Sequence, residues 1–480
     1  MIFRLLLFAI LVVLWWGALW FALPGWLQGS MPSLVGVHVG PPLLLVTVWW
    51  TGKRAWAWRV ERVKKRAKET EVAEKKATQE AAKAAHLQAQ EQLRVPVECR
   101  AITAAVLKVP EVPDWFEEGA AGCALAELTP EVLQGRGYED ALISSLDQVF
   151  EITFSQCPAS VWLPIALVSD DPAQQRLIGE VWRQAVELLK IEHHPPEPDF
   201  MPLSGGGEIA DRLIALFENA PDLPAVVLIG MDSPFTKMPQ MEEFNLSKTK
   251  LGHAVIVMLV SRSGLDAPGS VESASIEHDK NPMTPYWERE RRRDTDSPPW
   301  QRIPPLLRSS LWELVPFATL HRSGTAHDLE KKRNSILTRQ IHETILDACV
   351  RAGFHDLPFE PAGAGEDAQA KPDGPEKNMQ AKPEESKPLE QLGWFVHNCE
   401  SARFGALCTA LGECGCEIDP FAEASNLEEA HGDVGVAHDV LMLAGALIRV
   451  AQLQQPVLAV GFKPDNSIGI VLARPISEDS

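Results

Sequence analysis

Four cysteines and one histidine near the C-terminal end of the chain are of types that could bind a metal. They are Cys399, Cys408, Cys414, Cys416 and His397, and thiolate and imidazole are ligands that zinc prefers. Their spacings lack a paired C-x2-C knuckle, and Cys408 lies in an apolar stretch with helical spacing. We therefore interpret the cysteines as buried, reduced thiols, and we expect neither a metal nor a cofactor.

A Gly-rich turn, Ser204 to Gly207, precedes a stretch with helical spacing. Such a turn can cradle a phosphate at a helix N-terminus. This one lacks the Lys and Ser/Thr of a P-loop, and Glu208 would repel an anion. A tight turn is the plainer interpretation. The sequence also contains no G-x-S-x-G or H-E-x-x-H motif, and His193-His194, followed by two prolines, is interpreted as a loop.

The first 58 residues have the composition of a membrane anchor. Residues 5–23 carry no charge, and at about 1.5 Å per residue they could cross a hydrocarbon core of about 30 Å. A second apolar run, residues 34–50, contains Pro41-Pro42, which would kink or restart a helix. We expect two spans rather than a cleaved signal peptide. The residues expected at the membrane interface are Trp15, Trp16, Trp49, Trp50, Lys53 and Arg54.

Positive charge directly follows the second apolar run. Residues 53–94 contain twelve Lys/Arg against six Asp/Glu, whereas the whole chain has a net charge of -20. A positive flank is retained on the cytoplasmic side of a membrane. The acidic remainder repels phosphate backbones, so we expect no nucleic-acid partner. The sequence thus predicts a membrane protein whose soluble domain faces the cytoplasm.

Changes in composition divide the chain into seven segments. We expect a two-span transmembrane anchor (1–58), a charged helical stalk (59–94), the first half of a folded domain (95–265), an irregular insertion (266–306), a helical segment (307–360), a disordered linker (361–389) and the second half of the domain (390–480). The linker is rich in Pro, Gly and charge and cannot bury enough surface to fold. In the two halves, strand-like stretches (101–109 and 161–169) alternate with stretches of helical spacing (138–150 and 173–190), which predicts an α/β fold with a largely buried sheet.

An internal repeat relates the two halves. Each copy has a Gly-containing turn, a helix and two strands, at residues 204–207, 208–219, 224–233 and 253–262 in the first copy and 432–435, 437–454, 456–462 and 467–475 in the second. Two halves of one pseudo-symmetric domain would produce this recurrence. Chance similarity of two common units is the alternative.

The repeat resembles the thiolase-like fold of ketoacyl synthases. Gly230 to Ser233 matches the G-x-D-S element of that family, and Gly432 to Val450 is similar to its Gly-His-Thr helix. The fold class that this implies is α/β: an N-terminal transmembrane helical hairpin and a helical stalk, followed by a pseudo-symmetric thiolase-like α/β domain.

The same resemblance implies where a pocket lies, but the catalytic residues of the family are missing from it. The family has a nucleophilic cysteine at the start of the first buried helix, where this chain has Ser204 and Gly205. The histidine of the Gly-His-Thr element is replaced by Asp433, and His397 is similar to another family histidine. We therefore expect a vestigial ketoacyl-synthase-like pocket without catalytic residues, and a protein that is not an enzyme.

The overall layout resembles the accessory adaptors of phospholipase effectors in bacterial type VI secretion systems. That resemblance implies an adaptor that is anchored in the bacterial inner membrane and faces the cytoplasm, where it binds a lipase-type effector and helps to load it onto the spike protein of the secretion machine. The alternative is an enzyme of acyl or lipid metabolism with an altered ketoacyl-synthase-like site, acting through Ser204. A third hypothesis is a structural part of an envelope complex in which the stalk is the main functional element.

Overall fold

The structure is a computed structural model. It describes residues 2–22, 31–108, 122–169, 171–190, 195, 197–203, 207–237, 251–265, 303–331, 333–357 and 388–476. Most of the predicted insertion and linker therefore lies outside the described residues. The described chain divides into two units, one that precedes Leu87 and one that begins with it. We call the second unit the body.

The first unit consists of α1 (Ile2–Ala22) and most of α2 (Met31–Leu93). α2 continues through Pro41-Pro42 and through the predicted stalk without an assigned break. Among the residues whose side chains are described, the helix that is long and apolar enough to cross a membrane is Gly435–Leu453, and most of it is buried inside the body. The two-span anchor therefore stays a prediction.

The body combines strands and helices. Its described strands are β1 (Val97–Leu107), β2 (Cys123–Leu128), β3 (Ile165–Leu167), β4 (Phe200–Pro202), β5 (Ala225–Asp232), β6 (Ala254–Arg262), β7 (Ala318–Leu320), β8 (Gly324–Ala326), β9 (Trp394–His397), β10 (Ala424–Asn426), β11 (Val457–Phe462) and β12 (Ile468–Pro475). Its described helices are α3 (Pro130–Leu133), α4 (Tyr138–Gln156), α5 (Pro172–Leu188), α6 (Ile209–Asn219), α7 (Pro234–Lys237), α8 (Pro305–Glu313), α9 (Asn334–Arg351), α10 (Ser401–Glu413), α11 (Leu427–His431) and α12 (His438–Leu453). The α/β class is confirmed.

All of these strands belong to one mixed sheet, in which two halves have the same order of pairings. The strand order is β10-β9-β11-β12-β7-β1-β6-β5-β3-β4, with β2 on β1 and β8 on β12. From each outer edge inward, two parallel pairings are followed by two antiparallel pairings. The antiparallel pair β1 and β7 joins the halves in the middle. The helix–strand–strand order of the sequence repeat is present twice, as α6-β5-β6 and α12-β11-β12.

The central helices α6 and α12 pack in one hydrophobic cluster with the inner faces of both halves. The outer face of the first half is covered by α4, α5 and α8, and that of the second half by α9 and α10. Strand residues alternate between these clusters, as in β5, where Leu228 lies in the central cluster and its neighbours Val227 and Ile229 in an outer one. Burial on both faces explains why the long strands are continuous apolar runs in the sequence.

At Gly230, β5 lies in close contact with α12. A Cβ atom at this position would lie 2.5 Å from Cγ2 of Val440, which is closer than two carbon atoms can pack. The glycine of the G-x-D-S element is thus required for packing between the two halves. The residues that follow it, Asp232 and Ser233, are buried.

The remaining predicted elements differ from the structure mainly at their ends. The strand expected from Ala101 begins earlier, at Val97. The strand expected over residues 161–169 is a 3-10 turn followed by the short β3. The segment 307–360, predicted as helical, also contains β7 and β8. Three-residue strands are too short to show the two-residue alternation that identifies a strand in a sequence.

Candidate functional site

The two central helices begin next to strand ends of the opposite half. Asp232, the last residue of β5, accepts a hydrogen bond from the backbone N–H of Val436, just before α12 (3.2 Å). In the counterpart contact, Lys463, directly after β11, lies 2.7 Å from Glu208, the residue that caps α6. The internal repeat thus places two polar contacts across the interface between the halves, and the second of them is fully ionic.

Glu208, Lys463 and Asp439 form a charged trio at the start of α6. Nζ of Lys463 lies 2.7 Å from Oε1 of Glu208 and 3.7 Å from Oδ2 of Asp439. The side chains of Glu208 and Lys463 are 12% and 24% exposed. Glu208 is held in place because it also forms a capping box with Asp211, which satisfies backbone donors of the first helical turn.

Burial changes the acidity of these groups. It raises the pKa of the Glu208 carboxyl above its ordinary value, and the hydrogen bond from Lys463 opposes that rise. For Lys463, burial acts to lower the pKa, but the carboxylates of Glu208 and Asp439 outweigh burial and raise it. Glu208 is therefore a stronger base than an exposed glutamate, next to a cation that keeps its charge.

A small cavity adjoins the trio. Its volume is about 20 Å³, which is room for about one water molecule. Its lining consists of Glu208, Ile209, Asp439, Met442, Leu443, Ala459, Gly461, Gly469 and Val471. A Cβ at Gly469 would overlap the Glu208 carboxylate, so this glycine makes room for the charged side chain. The cavity combines two carboxylates with apolar walls from both halves.

An amide–imidazole pair lies at the start of α12. Oδ1 of Asn398 accepts from the backbone N–H of Phe462 (2.7 Å), and its Nδ2 donates to the carbonyl of Phe462 and to Nε2 of His438 (both 2.9 Å). A backbone N–H can only donate, so the orientation of the amide is fixed. Nε2 of His438 is then the acceptor, and the ring proton is on Nδ1. Burial also lowers the pKa of His438, which favours this neutral form.

A second polar cluster surrounds the end of β5. His253 bridges Ser145 and Ser233, with Nε2 2.9 Å from one hydroxyl and Nδ1 2.8 Å from the other. Burial lowers the pKa of His253 to about 4. Although a serine–histidine pair can act as a nucleophile, these three residues are no more than 2% exposed. We interpret the chain of hydrogen bonds as structural.

The residues predicted for the vestigial pocket are only partly described. Ser204 and Gly205 lie outside the described residues. The ring of His397 packs beside Phe395 and Phe404 in an outer cluster, with Nδ1 3.1 Å from Sγ of Cys399. Asp433 is exposed, and its carboxylate accepts from the backbone N–H of Gly435. The contacts described for His397 and Asp433 are thus with different neighbours.

Sequence reasoning missed most of the charged trio. Glu208 was noted only as a residue that repels anions, and Lys463 and Asp439 carried no motif. Their common signal is positional: in both copies of the repeat, polar residues stand at the start of the helix and after the first strand. The amide–imidazole pair, Asn398 and His438, has no such signal because its members lie in different elements.

The cysteines are all free thiols. Cys399 and Cys414 are buried, Cys408 and Cys416 are partly buried, and burial raises the pKa of each thiol. Within the described part of the chain, no group of three or more His, Cys, Asp or Glu side chains is placed to hold a metal ion. His193-His194 lies outside that part.

Comparison with known proteins finds similar structures but no family. No family model matches the chain, and no curated protein matches it. A cerulenin-bound variant of OleA from Xanthomonas campestris is 11% identical, with a TM-score of 0.37, over 79% of this chain and 96% of that one. The 3-oxoacyl-[acyl-carrier-protein] synthase III from Aquifex aeolicus is 12% identical, with a TM-score of 0.37, over 79% of this chain and 99% of that one.

These matches correct one expectation. The similar structures are enzymes of the ketoacyl-synthase type that the repeat resembles, which contradicts the expectation that this chain is not an enzyme. That expectation rested on a missing cysteine, and the loss of one nucleophile excludes one mechanism rather than catalysis as a whole. The matches give no support to the resemblance to type VI secretion adaptors. At 11–12% identity they assign neither residues nor a reaction to this chain.

Proposed function

We propose that the body is an enzyme of acyl or lipid metabolism whose altered ketoacyl-synthase-like site is the charged trio Glu208, Lys463 and Asp439. The observation that supports this proposal is the cavity where the halves meet, in which the carboxylate of Glu208, ion-paired with Lys463, faces apolar walls. A strengthened base, a fixed cation and an apolar surface are what acyl transfer to water requires.

The substrate class that fits is an acyl thioester. In the proposed reaction, Glu208 accepts a proton from a water molecule in the cavity as the water oxygen bonds to the thioester carbonyl carbon. The ammonium group of Lys463 stabilises the negative charge that develops on the carbonyl oxygen. The carbon–sulfur bond then breaks, and the leaving thiolate takes up the proton from Glu208. The apolar side chains Ile209, Met442 and Val471 line the cavity and would surround this water molecule.

The experiment is a thioesterase assay of the purified full-length chain. Acyl-CoA substrates of increasing chain length are supplied, and the release of free thiol is measured. We expect turnover that falls at least about 100-fold in Glu208→Gln, since general base catalysis typically contributes 10²–10⁴-fold. Glutamine keeps the size of the side chain and the oxygen that caps α6, so the variant tests the base.

Glu218→Gln is the matched control. Glu218 lies on α6 and is also ion-paired, in its case with Arg322, but it does not line the cavity. The control should retain full turnover. Equal activity of Glu208→Gln and the unaltered chain, or no turnover of any acyl-CoA, would contradict the proposal. Loss in Ser204→Ala alone would instead favour Ser204 as the nucleophile.

The predicted location and partners are separate from this proposal. A site in the cytoplasm beside the inner membrane would give an acyl-processing enzyme access to lipid precursors. The lipase-type effector and the spike protein, expected as partners from the sequence, stay predictions.

A further inference from the structure

Three aromatic–cation pairs follow one another along α2. Nζ of Lys53 lies 5.4 Å from the ring centre of Trp49, Cζ of Arg54 lies 5.1 Å from that of Trp50, and Cζ of Arg62 lies 3.5 Å from that of Trp58. In each pair the cation is four residues after the tryptophan, so one helical turn brings it over the ring. We call residues 49–62 the Trp–cation segment.

The rings of this segment are exposed rather than buried in a core. Trp49, Trp50 and Trp58 are 57%, 56% and 53% exposed. Because each cation lies against a ring, its position along the helix is restricted, and its charge remains available to a partner. The segment therefore presents fixed cations beside flat apolar surfaces.

The surrounding sequence identifies the partner chemistry. Residues 43–52 carry no charge, whereas residues 53–68 carry eight Lys/Arg and one Glu. At about 1.5 Å per residue, Lys53 and Arg54 lie roughly 5–6 Å beyond Trp50 along α2, and Arg62 roughly 18 Å beyond it. The distance of Lys53 and Arg54 from Trp50 matches the distance from the edge of the hydrocarbon core to the lipid phosphates. The distance of Arg62 places it in the layer of headgroups and ions.

We propose that the Trp–cation segment binds the phosphate headgroups of anionic phospholipids. This goes beyond the proposed function and does not depend on it. The rings of Trp49 and Trp50 lie at the boundary of the hydrocarbon core, and Lys53 and Arg54 pair with the phosphates. Arg62 and the following cations add longer-range attraction to an acidic surface. A polynucleotide would also offer phosphates, but it does not account for the adjoining uncharged run.

The test measures lipid preference of the full-length chain in a bilayer. The chain is reconstituted in phosphatidylcholine bilayers that contain either spin-labelled phosphatidylglycerol or spin-labelled phosphatidylcholine, and the immobilised fraction of each is measured. We expect at least about a threefold preference for phosphatidylglycerol, since each cation near the surface adds attraction to acidic lipid. The preference should weaken as salt is added.

Two double variants make the test specific. Lys53→Gln with Arg54→Gln should bring the preference close to one. Lys75→Gln with Lys76→Gln removes the same charge from the same helix, where both lysines already face glutamates, and should leave the preference unchanged. Equal immobilisation of the two lipids by the unaltered chain would overturn the proposal. So would a preference that the first variant keeps, or one that both variants lose equally.

Discussion

Nζ of Lys463 lies 2.7 Å from Oε1 of Glu208, although the two residues come from opposite halves of the body. Lys463 follows the first strand of one repeat, and Glu208 caps the helix of the other. The pair thus connects the start of a central helix to the strand end of the other half. Its mutation should affect both the stability of the interface and the proposed chemistry.

Single replacements of the members of the trio should lower the stability of the body by unequal amounts. The pKa of Lys463 is above its ordinary value of 10.5, so its contribution to stability is present at neutral pH and is lost only as the pH rises through the folded-state value. The raised pKa of Glu208 acts in the same direction but in an acidic range, because its contribution is largest at acid pH and is lost as the pH rises through the folded-state value.

Lys463→Met should therefore destabilise the body more than Glu208→Gln at pH 7. Loss of one partner of a buried pair costs roughly 3–5 kcal/mol, and partial exposure reduces the expected loss to about 1–3 kcal/mol. Glu208→Gln should cost about 1 kcal/mol or less. Chemical denaturation of both single variants and of the double variant gives the coupling. A coupling near zero would show that the two side chains act independently.

His438 should be neutral and protonated on Nδ1 at pH 7. The amide of Asn398 donates to Nε2 and is itself held by both backbone groups of Phe462. Selective ¹⁵N labelling of histidine and a two-bond ¹H–¹⁵N spectrum distinguish the tautomers, with His438→Gln to identify the signal. Asn398→Leu removes the hydrogen bond to Nε2 of His438 and should therefore change the ring signals. A proton on Nε2 in the unaltered chain would contradict the assigned orientation of the amide.

Gly230→Ala should destabilise the body by about 1–3 kcal/mol, the usual cost of overpacking a core. The added methyl group would meet Val440 of α12, so Val440→Ala should recover part of the loss. Gly405→Ala in α10 is the control, since a Cβ there meets nothing within 4 Å and an exposed helical position gains about 0.5–1 kcal/mol from alanine. Equal effects of the two glycine variants in denaturant unfolding would contradict this account.

Arg100→Met should destabilise the body by roughly 3–5 kcal/mol. Arg100 is fully buried in β1, where it bonds Glu98 at 3.2 Å, the hydroxyl of Ser261 and the carbonyls of Leu311 and Leu314. The variant leaves the Glu98 carboxylate buried beside an apolar group. Adding Glu98→Gln should recover stability in the same unfolding measurement. If the double variant is as unstable as the single one, the carboxylate is not the cause.

A reporter at the end of the chain tests the predicted location. Alkaline phosphatase folds in the oxidising periplasm, so a fusion after Ser480 should be inactive if the body faces the cytoplasm. A cytoplasmically active reporter fused at the same residue is the matched control and should be active. Strong phosphatase activity would place the body on the other side of the membrane.

The sequence predicted those elements whose pattern repeats over many residues. Long apolar runs identified β5, β6 and β12, and helical periodicity identified α5 and α6, because a buried face requires apolar residues at regular positions in the sequence. Short strands such as β7 show no such pattern, although β7 pairs with both β1 and β12. The site was harder to predict from the sequence than the long elements were, because Lys463 and Glu208 are far apart in the chain and meet only when the two halves pack together.

The pairing of β7 with β12 holds together the parts of the body on either side of the Pro-rich linker. β7 precedes the Pro-rich linker in sequence, yet it is hydrogen-bonded to β12 beyond that linker. A single cut between residues 361 and 387 would thus sever the polypeptide without opening the sheet. The two fragments would stay associated, in the manner of a split protein, and neither would correspond to one half of the repeat.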